Sequence, residues 1–250
     1  MSSAREPFPT DSFEILAAEE PRHWWFRARN KVILWALKNQ VGRFKSFLEV
    51  GCGTAFVLEG VKKAYPGAEL CGSEYFEEGL VFAKRRLPDV TFKQLDATLM
   101  SEESRYDVIG AFDVIEHIDQ DQIVLKNLAR ALKEGGSLMV SVPQHMWLWS
   151  HVDEYACHVR RYTRLDLISK IESAGLKVKY TTSFVSFLVP LMWLSRLRKH
   201  KGEYDTQKEF HIPGWLNKSL ETVMKLELGL IKIGLTLPFG GSLLLVATKP

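Results

Sequence analysis

The residues best equipped for chemistry in this sequence fall into two groups. The first is Glu49-Val-Gly51-Cys52-Gly53-Thr-Ala55, where an acid stands two positions before a glycine-rich turn. Glycine takes positive φ readily and carries no Cβ, so a ligand can lie directly on such a backbone while the amides of a following helix point at it. A dinucleotide-binding turn would need a third glycine at position 56 for close packing around a pyrophosphate, and Phe56 stands there instead. Glu49 would repel a phosphate but could hold a cationic amino group. The second group is the run from His145 to Tyr162, which concentrates His145, His151, Asp153, Glu154, His158, Arg160 and Arg161. Asp153 or His158 there, or His117 upstream, could take the proton of a hydroxyl acceptor.

The elements that position these groups alternate short apolar runs with apolar-periodic segments, the pattern of βαβ units and a parallel, doubly wound sheet. Strands are expected over 46–50, 68–74, 90–97, 105–113, 137–143, 176–184 and, last, 242–248. Helices between them end at Pro66-Gly67, Pro88 and Gly175. In such folds ligands bind beyond the carboxyl ends of the strands, and an acid about twenty residues past the glycines accepts hydrogen bonds from ribose hydroxyls. Glu74 fits that role, and Tyr75 after it offers a face for an adenine. Residues 11–40 read as two helical pieces broken at Pro21. The second carries His23-Trp-Trp-Phe26 with Arg27 and Arg29, and Trp24, Trp25 and Arg27 are candidate walls of a cap over the ligand.

These residues resemble motif I of the class I S-adenosylmethionine (SAM) methyltransferases, E/D-x-G-x-G-x-G, through Glu49, Gly51 and Gly53, with Ala55 in the place of the third glycine. Phe112-Asp-Val-Ile-Glu-His117-Ile resembles the signature that follows strand 4 in ubiquinone-biosynthesis-type methyltransferases, of the type 11 or 12 domain. Trp149-Ser-x-x-Asp153-Glu154-x5-Arg160-Arg161-Tyr162 and His23-Trp-Trp-Phe-x-x-Arg29 resemble a bacterial subgroup of unassigned substrate. The resemblance implies a Rossmann-like seven-stranded sheet whose last strand is antiparallel, plus a helical lid insertion. It also implies SAM as cofactor and S-adenosylhomocysteine as product, with Asp96 on the adenine amino group. The implied cofactor residues are Glu49, Gly51, Cys52, Gly53, Glu74, Tyr75, Asp96, Ala97, Phe112 and Asp113, and the candidate catalytic residues are His117, Asp153 and His158.

At 250 residues the chain divides as an N-terminal helical cap (1–45), a SAM-binding core (46–184), a helical lid (185–241) and the last core strand (242–250). A net charge of +3 argues against a nucleic-acid surface, and three scattered cysteines give no disulfide framework, which points to the cytoplasm. Neither a signal peptide nor an apolar run of the ~18 residues that a spanning helix needs is visible. His151, Asp153 and His158 could ligate a divalent ion, but no four-ligand pattern appears, so no metal is expected. The apolar stretch from Phe184 to Leu194 runs into Arg196-Leu-Arg-Lys-His-Lys201. Residues 184–201 could therefore lie at the inner face of a membrane, or cover the pocket of an amphiphilic acceptor. That acceptor would be a quinone precursor or a lipid-linked or cell-envelope saccharide. The alternatives are a SAM-binding scaffold or partner protein without catalysis and, disfavoured by Phe56 and Glu49, a nicotinamide oxidoreductase.

Overall fold

The computed structural model of the chain describes residues 9–10, 12–197 and 212–250. Seven strands form one sheet: β1 (Ser46–Val50), β2 (Glu69–Glu74), β3 (Thr91–Gln94), β4 (Tyr106–Phe112), β5 (Leu132–Pro143), β6 (Lys177–Phe184) and β7 (Ser242–Thr248). Their order is β3-β2-β1-β4-β5-β7-β6. The first five run parallel, and β7 lies antiparallel between β5 and β6. Because strand order reverses beside β1, the carboxyl ends of β1, β2 and β4 open a crevice there.

Alternation along each strand feeds two cores. On one face Leu48, Val50, Ile109 and Val140 pack against Leu125 and Leu128 of α5 (Asp121–Ala131) and Ile171 of α7 (Arg164–Ser173). On the other, Phe47, Val108 and Met139 meet Val57 and Val61 of α3 (Phe56–Ala64) and Val32 and Ile33 of α2 (Trp24–Ala36). Burying such side chains stabilises the sheet by about 1.5–3 kcal/mol each. The remaining helices are α1 (Ser12–Glu19), α4 (Glu77–Arg86), α6 (His151–Tyr155), α8 (Val189–Leu197) and α9 (Gly214–Lys232).

Strand boundaries differ from the sequence expectation in two places. The third strand stops at Gln94, because the Asp96 carboxylate accepts the Thr98 amide at 2.8 Å and caps a short 3-10 turn. The fifth begins five residues early, at Leu132, pairing with Tyr106 across a register shift. Helix α9 packs along α2, and its Glu221 accepts hydrogen bonds from Arg27 at 3.0 Å and Lys31 at 2.7 Å. Its buried Glu227 receives the amides of Ser186 and Phe187, at 2.7 and 3.0 Å, and so anchors the entry to α8. Residues 1–8 and Asp11 of the expected cap lie outside the described residues, as do 198–201 of the basic run and 202–211 of the expected lid. Among the described residues no helix is long and apolar enough to cross a membrane.

Candidate active site

The turn after β1 has the geometry its glycines suggest. Gly51 and Gly53 both take positive φ, at 65° and 51°, and a Cβ on Gly51 would lie 2.5 Å from the Val114 side chain. Ala55, in the place of a third glycine, is also left-handed at φ 63° and caps α3. That conformation disfavours any residue with a Cβ. Glu74, at the end of β2, accepts the amides of Gly53 (2.9 Å), Tyr75 (2.8 Å) and Phe76 (3.2 Å), so it fixes this turn from below. Burial raises its carboxyl pKa and the three amides lower it, with burial the larger effect.

Glu49 is fully enclosed on the face that carries α2 and α3. Burial pushes its carboxyl up to about 8 against the pull of the Arg29 guanidinium, and its Oε2 finds no partner in the chain. Arg29 comes from α2, lies 4.8 Å over the Trp25 ring and pairs with Asp113. Asp113 sits just past β4 with φ 57°. A buried polar atom without a partner is costly, and an ammonium group at Glu49 would remove that cost. An open cleft of about 560 Å³ adjoins the turn, lined by Tyr75, Phe76, Glu77, Gln94, Leu95 and Asp96. It leaves room for a planar ring beside Tyr75.

Not every expected cofactor residue offers its side chain. Phe112 turns into the core over Gly110 and Cys52 toward Gly72, so each has backbone alone to offer. Ala97 is buried behind Asp96. Of the expected cap walls, Trp25 stacks on Arg29, while Arg27 points away to Glu221. Arg29 is the cap residue that reaches the strand ends. Helix α1 adds to this cover, with Phe13 against Gly53 and Gly79 and the Ser12 and Tyr155 hydroxyls 2.7 Å apart. Glu20 joins Thr54 of the turn and, at 2.8 Å, Arg86.

The histidine-rich run folds back onto the residues after β4. The amide of Val159 donates to the Glu116 carbonyl at 2.8 Å, and the Tyr162 hydroxyl donates to Asp121 at 2.7 Å. His117 and His158 thereby meet edge to face, with ring centroids 4.7 Å apart. Asp153 is fully buried and fully engaged: Arg161 donates through Nε (2.7 Å) and Nη2 (2.9 Å), Ser150 through its amide (2.8 Å), and His158 Nδ1 lies 2.9 Å away. These partners hold its carboxyl down at about 2 despite burial. Asp153 is therefore corrected from candidate base to a group that orients His158. His151 is exposed and pairs with Glu154, so the trio His151, Asp153 and His158 does not assemble. Burial, then the neighbouring His158, lowers the His117 pKa to about 4. Glu116 lies beside both histidines, entirely buried, with its pKa raised by burial and by Asp113. Residue type and spacing gave Glu116 no role of its own, although it stands next to His117 in the signature after β4.

Known proteins share this fold. Residues 48–138 match the model of a family described as a methyltransferase domain. The chain thus carries a methyltransferase domain within the Rossmann-like fold of the class I SAM-dependent methyltransferases. Over 104 residues the chain is 33% identical to trans-aconitate 2-methyltransferase of Methylobacterium nodulans, covering 42% of the chain and 40% of that protein. Over 152 residues it is 27% identical to ubiquinone biosynthesis O-methyltransferase of Aliivibrio fischeri, covering 54% and 62%. The chain thus spans less than two thirds of the length of these relatives. The crystal structure of the N-methyltransferase NodS from Bradyrhizobium japonicum, solved with S-adenosyl-L-homocysteine, superposes with a TM-score of 0.61 at 15% identity, over 98% of this chain and all of that one. The partnerless Glu49 oxygen, the glycine turn and the cleft at Tyr75 suit the ammonium, ribose and adenine of SAM in that order.

Proposed function

We propose that this methyltransferase moves the methyl group of SAM to a hydroxyl oxygen on an amphiphilic or lipid-linked acceptor. The observation that carries this reading is the placement of the Glu116, His117 and His158 side chains just past β4, beside the cofactor's strand ends. Methyl transfer from a sulfonium is an in-line displacement, so much of the rate comes from holding the acceptor in attack geometry. A hydroxyl acceptor must also lose its proton, and a cluster of two partly exposed imidazoles and a buried carboxylate is the group here suited to bring that about. The O-methyltransferase name of the ubiquinone relative supports an oxygen acceptor. An amphiphilic acceptor is supported by the exposed apolar side chains Leu191, Trp193 and Leu194 of α8, beside Met146 and Trp147 of the run it packs against. A quinone precursor or a cell-envelope lipid or saccharide fits those surroundings.

The test is methyl transfer from labelled SAM into quinone and envelope-lipid extracts, with Glu116→Gln and His158→Ala as variants. The reading expects label in an apolar product, lost by at least about 100-fold in either variant while SAM affinity stays within about threefold. Label confined to amines, or variants as active as the parent chain, would overturn it.

A further inference from the structure

Glu116, His117 and His158 each offer one ligand atom, and these atoms all lie within 4.8 Å of one another. In a tetrahedral site two ligands held about 2.0–2.2 Å from one ion stand about 3.3–3.6 Å apart, so the widest pair would close by about 1–1.5 Å as the side chains draw in around the ion. Neither Glu116 carboxylate oxygen has a hydrogen-bond partner in the chain, and its side chain is 0% exposed. Were the cluster an ordinary ion pair, an imidazolium would donate to that carboxylate. Instead His158 Nε2 stands 4.0 Å from Glu116 Oε1, too far for a hydrogen bond. A buried acid without a partner is costly unless a cation meets it.

The surroundings fit a cation as well. Metal-bound histidines usually give their other ring nitrogen to a carboxylate, which fixes the tautomer and aims the free lone pair. His158 does this through Nδ1 to Asp153, which Arg161 and Ser150 hold in place in turn. Two histidines and one glutamate, with a fourth position left over, is a donor set that suits zinc and its neighbours where the metal takes part in a reaction.

We propose that Glu116, His117 and His158 bind a divalent transition-metal ion of the zinc class, whose remaining position takes the acceptor's hydroxyl. The ion site stands on the geometry alone; the role of its open position rests on the methyl-transfer reading above. The bound hydroxyl becomes acidic and releases its proton to solvent. Its oxygen lone pair then forms the O–CH3 bond, and the C–S bond breaks with its electron pair going to the sulfonium sulfur. The products are the methyl ether and S-adenosylhomocysteine, and the ion is unchanged.

The test is titration of the chelator-treated full chain with Co²⁺ and with Zn²⁺, in the absence of SAM. We expect one equivalent of Co²⁺ to bind with the intense visible absorption of a tetrahedral site, and Zn²⁺ to displace it. Glu116→Gln and His158→Ala should each weaken Co²⁺ binding by at least about 10-fold, and Asp153→Asn, through His158, by about 10–100-fold. His151→Ala should bind as the parent chain does. Metal-free circular dichroism of each variant guards against loss of fold. Should the variants unfold, the parent chain decides: no visible bands at saturating Co²⁺ would overturn the proposal. Folded variants that bind like the parent would overturn it too. Stoichiometric, site-dependent metal binding in a chain that methylates nothing would uphold the site and count against the proposed function, so the two fail separately.

Discussion

Glu49 and Glu74 show how two acids on neighbouring strands acquire different tasks from their surroundings. Glu74 is spoken for by three backbone amides, so its charge is available to a ligand only through what those amides leave over. Charge-assisted hydrogen bonds to ribose hydroxyls are worth about 1.5–3 kcal/mol. Glu74→Gln should therefore weaken SAM binding by about 10- to 150-fold in a calorimetric titration. An unchanged affinity would mean that the ribose lies elsewhere. Glu49 instead has an orphaned oxygen and a carboxyl raised to about 8. In the free protein it is thus protonated near neutrality, and a bound ammonium requires it ionised. SAM affinity should rise by up to about tenfold per pH unit below about pH 8. The rise should level off there, where an α-amino group of ordinary pKa about 7.7–8.0 loses its own proton. The folding effect has the opposite sign. The folded pKa lies above the unfolded one, so Glu49's contribution to stability is complete below the ordinary glutamate value of 4.5 and is lost as pH climbs through about 8. Glu49→Gln should flatten both profiles. At pH near 8 it should raise the melting temperature by a few degrees while weakening SAM.

At the scale of elements, the run from Ser150 to Tyr162 is held by one buried clasp. Asp153 accepts both arms of Arg161, whose side chain is 7% exposed against 0% for the acid. Removing one partner of a buried pair strands the other charge and costs about 3–5 kcal/mol. Arg161→Ala should lower the melting temperature by about 6–20 °C, given about 2–4 °C per kcal/mol for a chain of this size. Arg160→Ala should cost less, because Arg160 is itself 25% exposed beside its 4% exposed partner Asp121. Equal losses would show that the clasp is not centred on Asp153.

The same run shows what the sequence could and could not say. The succession of seven strands and the positions of Glu49, Glu74 and Asp113 at or just past strand ends were legible, because apolar periodicity and turn residues are local signals. Asp153 looked like a base because residue type was visible while its four donors, some contributed from eight positions away, were not. His151 and His158 were equivalent on paper, yet one pairs outward with Glu154 and the other turns in toward Glu116. Arg29 was quoted only as part of an aromatic cluster. Its reach to Asp113 depends on how α2 crosses the sheet, a tertiary fact with no local signature.

Across the whole molecule, the cover over the cofactor's strand ends is assembled from distant parts of the chain. Ser12 meets Tyr155, Phe13 lies on Gly53 and Gly79, and Glu221 of α9 draws in Arg27 and Lys31 of α2. The late helices thus support the early ones, while α8 leaves Leu191, Trp193 and Leu194 exposed, each at half or more of its full area. Side chains of this kind gain about 1.5–3 kcal/mol each when taken out of water, an amount that could come from the acceptor's own bilayer. If the acceptor is lipid-linked, the full chain should co-sediment with vesicles of anionic phospholipid. Leu191→Asp and Trp193→Asp should each reduce the bound fraction's partition coefficient by about 10-fold or more, while SAM binding stays as in the parent chain, because neither residue touches the cofactor's strand ends. Raising the salt concentration should weaken binding only to the extent that cations take part, which separates the apolar contribution from an electrostatic one. A chain that ignores vesicles, with both aspartate variants methylating the same extract as well as the parent, would instead assign α8 to a small amphiphile that arrives through water.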